Sequence, residues 1–443
     1  MKKKFRDLLF PLFIILFIII TVITSLYASG YKFNLSWPIK FNRLLQKTGM
    51  LAVATKPTNA IIYLNDEPQN NLSLNPWKED YITTPAKIKN VLPGEYELRL
   101  EEKGYWPYKQ KVNIYSGETT FIEDINLFRE NSPLLVSSSV ETDLAISPDN
   151  KYLYIPATKK IITLKTEASR DLTYATNISG SWLTNSKLFA SGIIFDPANN
   201  RNDANYASYI GAEANSWYFE EATNLLYYQN KNSINRYDPN SKTSISIVSG
   251  ENYLTYEPRQ DRLFTITNSN NQIKLNSYSI KDSKIESEWT LPNSGTYSFV
   301  SDIPSYLTVY DSQNKTLYLF NEIAIGGGPV IIRNIKNWTL LDDQSLIYTN
   351  DFEIYVFHFS NNQTDLITRR SDQIDKIIWN ANGNYLIFST PNEINVLDFK
   401  SRNTTLLFKA DKINSPALDV KNKYLYFWAH IGQQEGIYKM IMQ

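Results

Sequence analysis

The chain has 443 residues, with 45 Lys and Arg balanced by 45 Asp and Glu, so its net charge is zero. A length of that order accommodates two or three domains, and the absence of basic excess argues against a nucleic-acid partner, whose phosphates are met by Lys and Arg. No cysteine is present, which excludes disulfides, thiolate zinc sites and cysteine nucleophiles. At the N-terminus, Lys2, Lys3, Lys4 and Arg6 precede an uncharged apolar run from Leu8 to Ala28. At about 1.5 Å per residue that run spans roughly 30 Å, the thickness of a hydrocarbon core. The positive-inside rule holds residues 1–7 in the cytoplasm as a basic tail and sends the rest of the chain across. A cleaved signal peptide has a shorter apolar core, about 7–15 residues, and bulky Leu26 fits poorly at the −3 position of a cleavage site before Ser29. The expectation is a retained single-pass signal anchor over 8–28, with the lipid bilayer as its partner.

Residues 29–47 read as a juxtamembrane linker with Lys32, Lys40, Arg43 and Lys47 available to anionic headgroups. From Gly49 the pattern turns to strands: 50–55, 56–65, 84–92, 93–101, 103–115 and 117–127. ProGly at 93–94 is a turn signal, and Glu95–Glu101 alternates as a strand with one buried face. The order LysProThrAsnAla (56–60), ThrPro (84–85), LeuProGlyGluTyr (92–96) and LysGlyTyrTrpProTyr (103–108) resembles a PEGA domain over 48–128. Thr58 and Asn59 depart from the Pro-Glu-Gly-Ala stretch that names the family, and an Asn-rich loop holding Trp77 lengthens the segment 66–83. The resemblance implies a small β-sandwich of bacterial and archaeal surface proteins, without catalysis.

Beyond 133 a hairpin pattern returns about every 38 residues. Its second strands open at Tyr152, Leu188, Leu225, Leu263, Leu307, Leu346, Tyr385 and Tyr424. A fixed strand-built period of this size predicts a β-propeller over 133–443. Eight blades are expected, or seven if the weak copy at 300–309 is not a blade of its own. The last copy has room for only three strands, so ProLeuLeuValSerSer (133–138) is predicted to supply its outer strand and close the ring, hiding the sheet edges. SerProAspAsnLysTyrLeu (147–153) is similar to the hairpin of TolB-type propellers, a resemblance of fold alone. The whole is an all-β chain behind one transmembrane helix.

Trp182, Trp217, Trp338 and Trp379 recur in one phase of the repeat, 6 or 8 residues before the second strand. Even spacing keeps them on one face. They are the candidate ligand-binding residues, as an aromatic platform for glycan or peptide; the competing reading, which the prevalence of aromatics in such cores favours, is blade-to-blade packing. Chemistry is otherwise sparse. His358 and His430 are the only histidines, and no local sequence suggests a triad partner for either. No HExxH, Walker or paired Cys/His pattern occurs, so neither cofactor nor metal is expected. The segment 196–205 has oxygen side chains enough for calcium but lacks the EF-hand ligand order, so it reads as a polar inter-strand loop. Together these features predict a membrane-anchored, extracytoplasmic binding or scaffold protein of the cell envelope, not an enzyme, whose propeller takes a protein or a surface glycan. The alternative is a propeller hydrolase or lyase acting on surface polysaccharide through a carboxylate pair at the channel, with raised pKa values.

Overall fold

The computed structural model describes residues 3–33, 44–71, 80–172, 180–210, 214–301, 303, 306–322, 325–419 and 421–443; Trp77 lies outside them. The chain forms two compact units, 1–131 with residue 443, and 132–442.

The first unit opens with helix α1 (Lys3–Ala28), whose segment Phe10–Ala28 is long and apolar enough to cross a membrane. The hydroxyls of Thr21 and Thr24 donate to the carbonyls of Phe17 and Ile20, each at 2.8 Å, so these polar groups are satisfied within the helix, as an apolar surrounding demands. Gly30 ends the helix in the left-handed region, φ 81°, a conformation glycine adopts without penalty. The linker expected at 29–47 is not wholly irregular. Strands β1 (Tyr31–Phe33) and β2 (Leu45–Lys47) pair antiparallel there, with Tyr31 opposite Lys47.

The sandwich follows at once. A three-stranded sheet, in the order β6 (Ala86–Val91), β3 (Gly49–Lys56), β9 (Thr119–Asn126), packs on a four-stranded one. The latter runs β5 (Glu67–Pro68), β4 (Ile61–Leu64), β7 (Gly94–Glu101), β8 (Tyr108–Ile114). The alternation in β7 buries Leu98 and Leu100 completely, and Leu51, Val53, Ile62, Val112 and Ile125 complete the core.

The second unit contains eight four-stranded antiparallel sheets among the described residues. Blades 1 to 7 span 145–171, 180–205, 216–249, 253–291, 297–333, 337–369 and 376–409. The weak copy is therefore blade 5 in its own right. Blade 8 takes three strands from 412–441, and its outer strand is β10 (Leu134–Ser138), which pairs antiparallel with Gln434–Ile441. The ring closes as the three-strand remainder required. Leu153, Ile155 and Ile162 of blade 1 share a core with Tyr426, Trp428 and Ile437 of blade 8.

Each blade presents two ends. At one, the turns between first and second strands recur with a polar residue in the left-handed region: Asn150, Ser186, Asn224, Gln260, Asn384 and Asn422. Asn tolerates that region because its short side chain bonds locally. These turns are also stitched to one another. The Asn150 amide donates to Asp419 (3.1 Å) and the Asn422 amide to Asn380 (2.8 Å), in each case on the preceding blade. The Asp149 N–H donates to the Ser186 hydroxyl at 3.0 Å, and the Gln260 N–H to Glu220 at 3.2 Å. The outer edges are blunted differently. In blades 3, 4, 6, 7 and 8 the outermost strand carries one extra residue at a register shift. Such bulges bend an edge away from further pairing, and two of the extra residues, Ile247 and Leu407, are buried.

Candidate functional site

The four repeat-phase tryptophans sit on the inner strands of blades 2, 3, 6 and 7, half-buried, each in a different seam against the preceding blade. The Trp182 indole N–H donates to the Ala145 carbonyl of blade 1 at 3.0 Å, and its ring stacks on Tyr152. Trp338 lies 4.9 Å from Tyr310 of blade 5, and Trp379 lies 4.9 Å from Phe399 of its own blade. Trp217 packs on Tyr228 at 5.7 Å, over Gly192 of blade 2. A Cβ at Gly192 would meet the Trp217 ring at 2.9 Å, and φ there is 72°. Gly192→Ala is expected to lower stability by about 1–3 kcal/mol through this overpacking, read as a shift of the denaturation midpoint. The indole N–H groups of Trp338 and Trp379 are buried without a hydrogen-bond partner. The structure brings no two of the four rings together.

What it does assemble lies at the opposite end of the blades from the stitched turns, where second strands turn into third and each blade leads to the next. An arc of polar side chains runs there over blades 5, 6, 7, 8 and 1. Lys315 bridges Asp351 at 2.9 Å, and Lys336 reaches Asp375 at 3.1 Å and the Ile374 carbonyl at 2.9 Å. Lys412 bridges Glu141 at 2.6 Å, and the Asn414 amide donates to the same carboxylate at 3.1 Å. Between these pairs, three successive blades converge. Ser415 of blade 8, which is buried, donates to Asp143 at the entry to blade 1, and Lys376 opens the inner strand of blade 7. Among the described residues no carboxylate stands within bridging distance of Lys376. Burial pushes its ammonium pKa down, and the charge of Asp143 opposes that. On the same end of blade 3, Asn230–Ser233 with Ser249 and Gly250 line an open cleft of about 590 Å³.

Sequence reasoning missed this arc because its members are far apart in the chain; Asp143 and Ser415 meet only through ring closure. It also missed a hydrogen-bond chain across blade 6. His358 Nδ1 contacts the Ser345 hydroxyl at 3.2 Å, and its Nε2 contacts Asp365 at 3.0 Å. Both partners come from neighbouring strands of the blade, not from residues next to His358 in the chain. Ser345 is only 6% exposed, so its hydroxyl is not presented to a substrate, and the histidine bridges three strands.

The oxygen-rich segment 196–205 is a self-capped loop. Asp196 accepts the N–H groups of Ala198 and Asn199 and the Asn202 amide, while Asp203 accepts the Asp196 N–H and pairs with Arg170. Burial alone would raise the Asp196 pKa, but its donors and Lys187 outweigh it and hold the carboxyl below its usual range. Among the described residues no three His, Cys, Asp or Glu side chains are grouped to hold a metal. One carboxyl in blade 4 is held above its usual range. Glu257, on the inner strand of blade 4, is raised by burial against the opposing charge of Arg259, which bonds it at 2.6 Å.

The PEGA domain family matches residues 48–127. The β-sandwich is a PEGA domain. The alternating strands that mark it in sequence build its two sheets, and the TyrTrpProTyr stretch (105–108) leads into β8. No curated protein matches the chain. Among solved structures, the Dos1 propeller is similar at 12% identity and a TM-score of 0.47, over 70% of this chain and 94% of that one. A eukaryotic initiation factor is similar at 12% identity and 0.47, over 79% and 96%. A chain of the mitotic checkpoint complex follows at 10% and 0.39, over 71% and 93%.

Proposed function

We propose that the protein is a membrane-anchored, non-catalytic binding or scaffold protein of the cell envelope, its PEGA domain standing between the bilayer anchor and a partner-binding propeller. The partner, a protein or a glycan, meets the propeller on the polar arc and presents an anionic group to Lys376. The observation that carries this reading is that cation. Four lysines line the arc, and the other three are paired. A half-buried ammonium without a bridging carboxylate is disfavoured until an anion reaches it.

The test uses the full chain in nanodiscs, co-sedimented with purified cell-wall sacculi and tested separately with envelope membranes. Lys376→Ala is expected to weaken saturable binding roughly tenfold or more, the value of one charge-assisted hydrogen bond. It should leave the unfolding midpoint unchanged or higher, because removing a desolvated charge relieves the fold. Binding that survives the substitution at full strength overturns the role given to Lys376.

A further inference from the structure

We propose that the turn between β8 and β9, carrying Tyr115, is a second membrane contact. It rests in the headgroup layer of the bilayer that α1 crosses and fixes the PEGA domain against it. The proposal rests on the reading of α1 as a transmembrane anchor and goes beyond it, because an anchor followed by a free linker would leave the domain swinging at the end of a tether.

The geometry allows no such tether. The Gly30 carbonyl, at the exit of the helix, accepts both the N–H and the hydroxyl of Thr48, at 2.7 and 2.8 Å. The Thr48 carbonyl in turn accepts the Gly117 N–H at 3.0 Å. Ser116 donates to the Lys47 carbonyl at 3.0 Å, and Met50 N–H to the Glu118 carbonyl at 2.9 Å. Two hydrogen-bond steps therefore separate the helix exit from the turn. A Cβ at Gly49 would stand 2.4 Å from the Tyr115 carbonyl, so the start of β3 presses directly on the turn and only glycine fits.

The polar zone of one leaflet is about 5–8 Å deep, half the difference between a bilayer of roughly 40–45 Å and a hydrocarbon core of roughly 30 Å. A turn held this close to the helix exit lies within or against that zone. Its side chains suit the place. Tyr115 is 58% exposed and projects from a folded domain with no core to join. Tyr27 and Phe33, also exposed, flank the helix exit. Tyrosine prefers the interface because its ring is apolar and its hydroxyl is wet. Lys32 and Lys47 are exposed beside them and can meet lipid phosphates. Glu118 is the acidic side chain on the turn itself, and its charge opposes an anionic leaflet.

The absence of native cysteine permits a clean test. Single cysteines are placed at Leu16 in the helix, at Glu118 on the turn and at Lys103, at the far end of β8. Each is labelled with an environment-sensitive fluorophore on the full chain in phosphatidylcholine–phosphatidylglycerol nanodiscs. Quenching is read with headgroup- and acyl-spin-labelled lipid. The expected result is acyl quenching at 16, and headgroup quenching at 118 severalfold that at 103. Tyr115→Asp should bring the signal at 118 down to that at 103. Quenching at 16 with 118 and 103 alike overturns the docked turn and leaves the anchor intact. No quenching at 16 overturns the anchor, and the proposal with it. Quenching at 118 unmoved by Tyr115→Asp overturns the role of the tyrosine.

Discussion

Arg259→Met is expected to destabilise the propeller by about 3–5 kcal/mol at neutral pH, the scale for removing one partner of a buried ion pair. Arg259 ties blade 4 to blade 5 at the stitched end. Its guanidinium bonds Glu257 at 2.6 Å, the Tyr306 carbonyl at 3.0 Å and the Glu322 carboxylate. Glu257 is 3% exposed, so without Arg259 its charge has no water to fall back on. Burial already raises its pKa against the pull of Arg259. A carboxyl whose folded pKa lies above its unfolded value keeps its proton longer in the folded state. Its contribution is fully present below the unfolded pKa, about 4.3 for glutamate, and is lost as pH rises through the folded pKa. Loss of Arg259 lifts that folded pKa further. The variant should therefore lose most at neutral and alkaline pH, and the deficit should shrink as the solution is acidified toward the carboxyl's titration. Adding Glu257→Gln to the variant should restore a large part of the stability at neutral pH, since the amide needs no counter-charge. Urea midpoints of the four proteins in the double-mutant cycle, at neutral pH and near pH 4.5, check this. Equal losses at both pH values, without rescue by Glu257→Gln, would place the effect in the lost contacts to Tyr306 and Glu322 rather than in the buried charge.

The same region shows why architecture was legible in the sequence and the sites were not. The repeat is written locally. Six of the eight second strands begin at the residue the period marked, and the other two, opening at Arg262 and Ser345, begin one residue earlier. The Asn-rich turns before them are local as well, since each needs only its own left-handed residue. Closure through β10 was legible because a four-stranded period leaves a remainder that only 133–138 could fill. Leu98 and Leu100 announced the PEGA core through simple alternation.

Sites are written across the ring. Lys376, Asp143 and Ser415 come from three blades, and each alone looks like a solvated strand end. No sequence near His358 announces its partners, because Ser345 and Asp365 lie on the strands to either side. Glu257 and Arg259 sit two residues apart in one strand, but nothing in GluProArg says that the carboxylate is buried or that Glu322 lies beyond. The hairpin of β1 and β2 was hidden for another reason. Three-residue strands carry too few side chains to show a period, and their pairing is imposed by the helix exit and by β3.

The closure of the ring should be the most sensitive point in the propeller, and Gly436 is where one substitution tests it. This residue lies in the third strand of blade 8, opposite Ser138 of β10. A Cβ there would stand 2.5 Å from the Ser137 carbonyl and 2.7 Å from Leu135. Those atoms belong to β10, which the rest of blade 8 holds along one edge, so the strand rather than the core gives way. Gly436→Val is expected to displace β10. Overpacking of this kind costs about 1–3 kcal/mol by itself, and separating β10 from blade 8 also breaks the bond from the Trp428 indole to the Ser139 carbonyl at 2.9 Å. It leaves Gln434–Ile441 as an unprotected edge, an invitation to self-association. Amide exchange over 134–138 should accelerate to the rate of free loops, proteolysis should appear between 131 and 139, and association should become concentration-dependent. Gly326→Ala, where an added Cβ meets nothing within 4 Å, should do none of this. Protection of 134–138 that survives in Gly436→Val would mean that blade 8 absorbs the new side chain by shifting inward, and that the ring is held shut by the cores of blades 1 and 8 rather than by the strand between them.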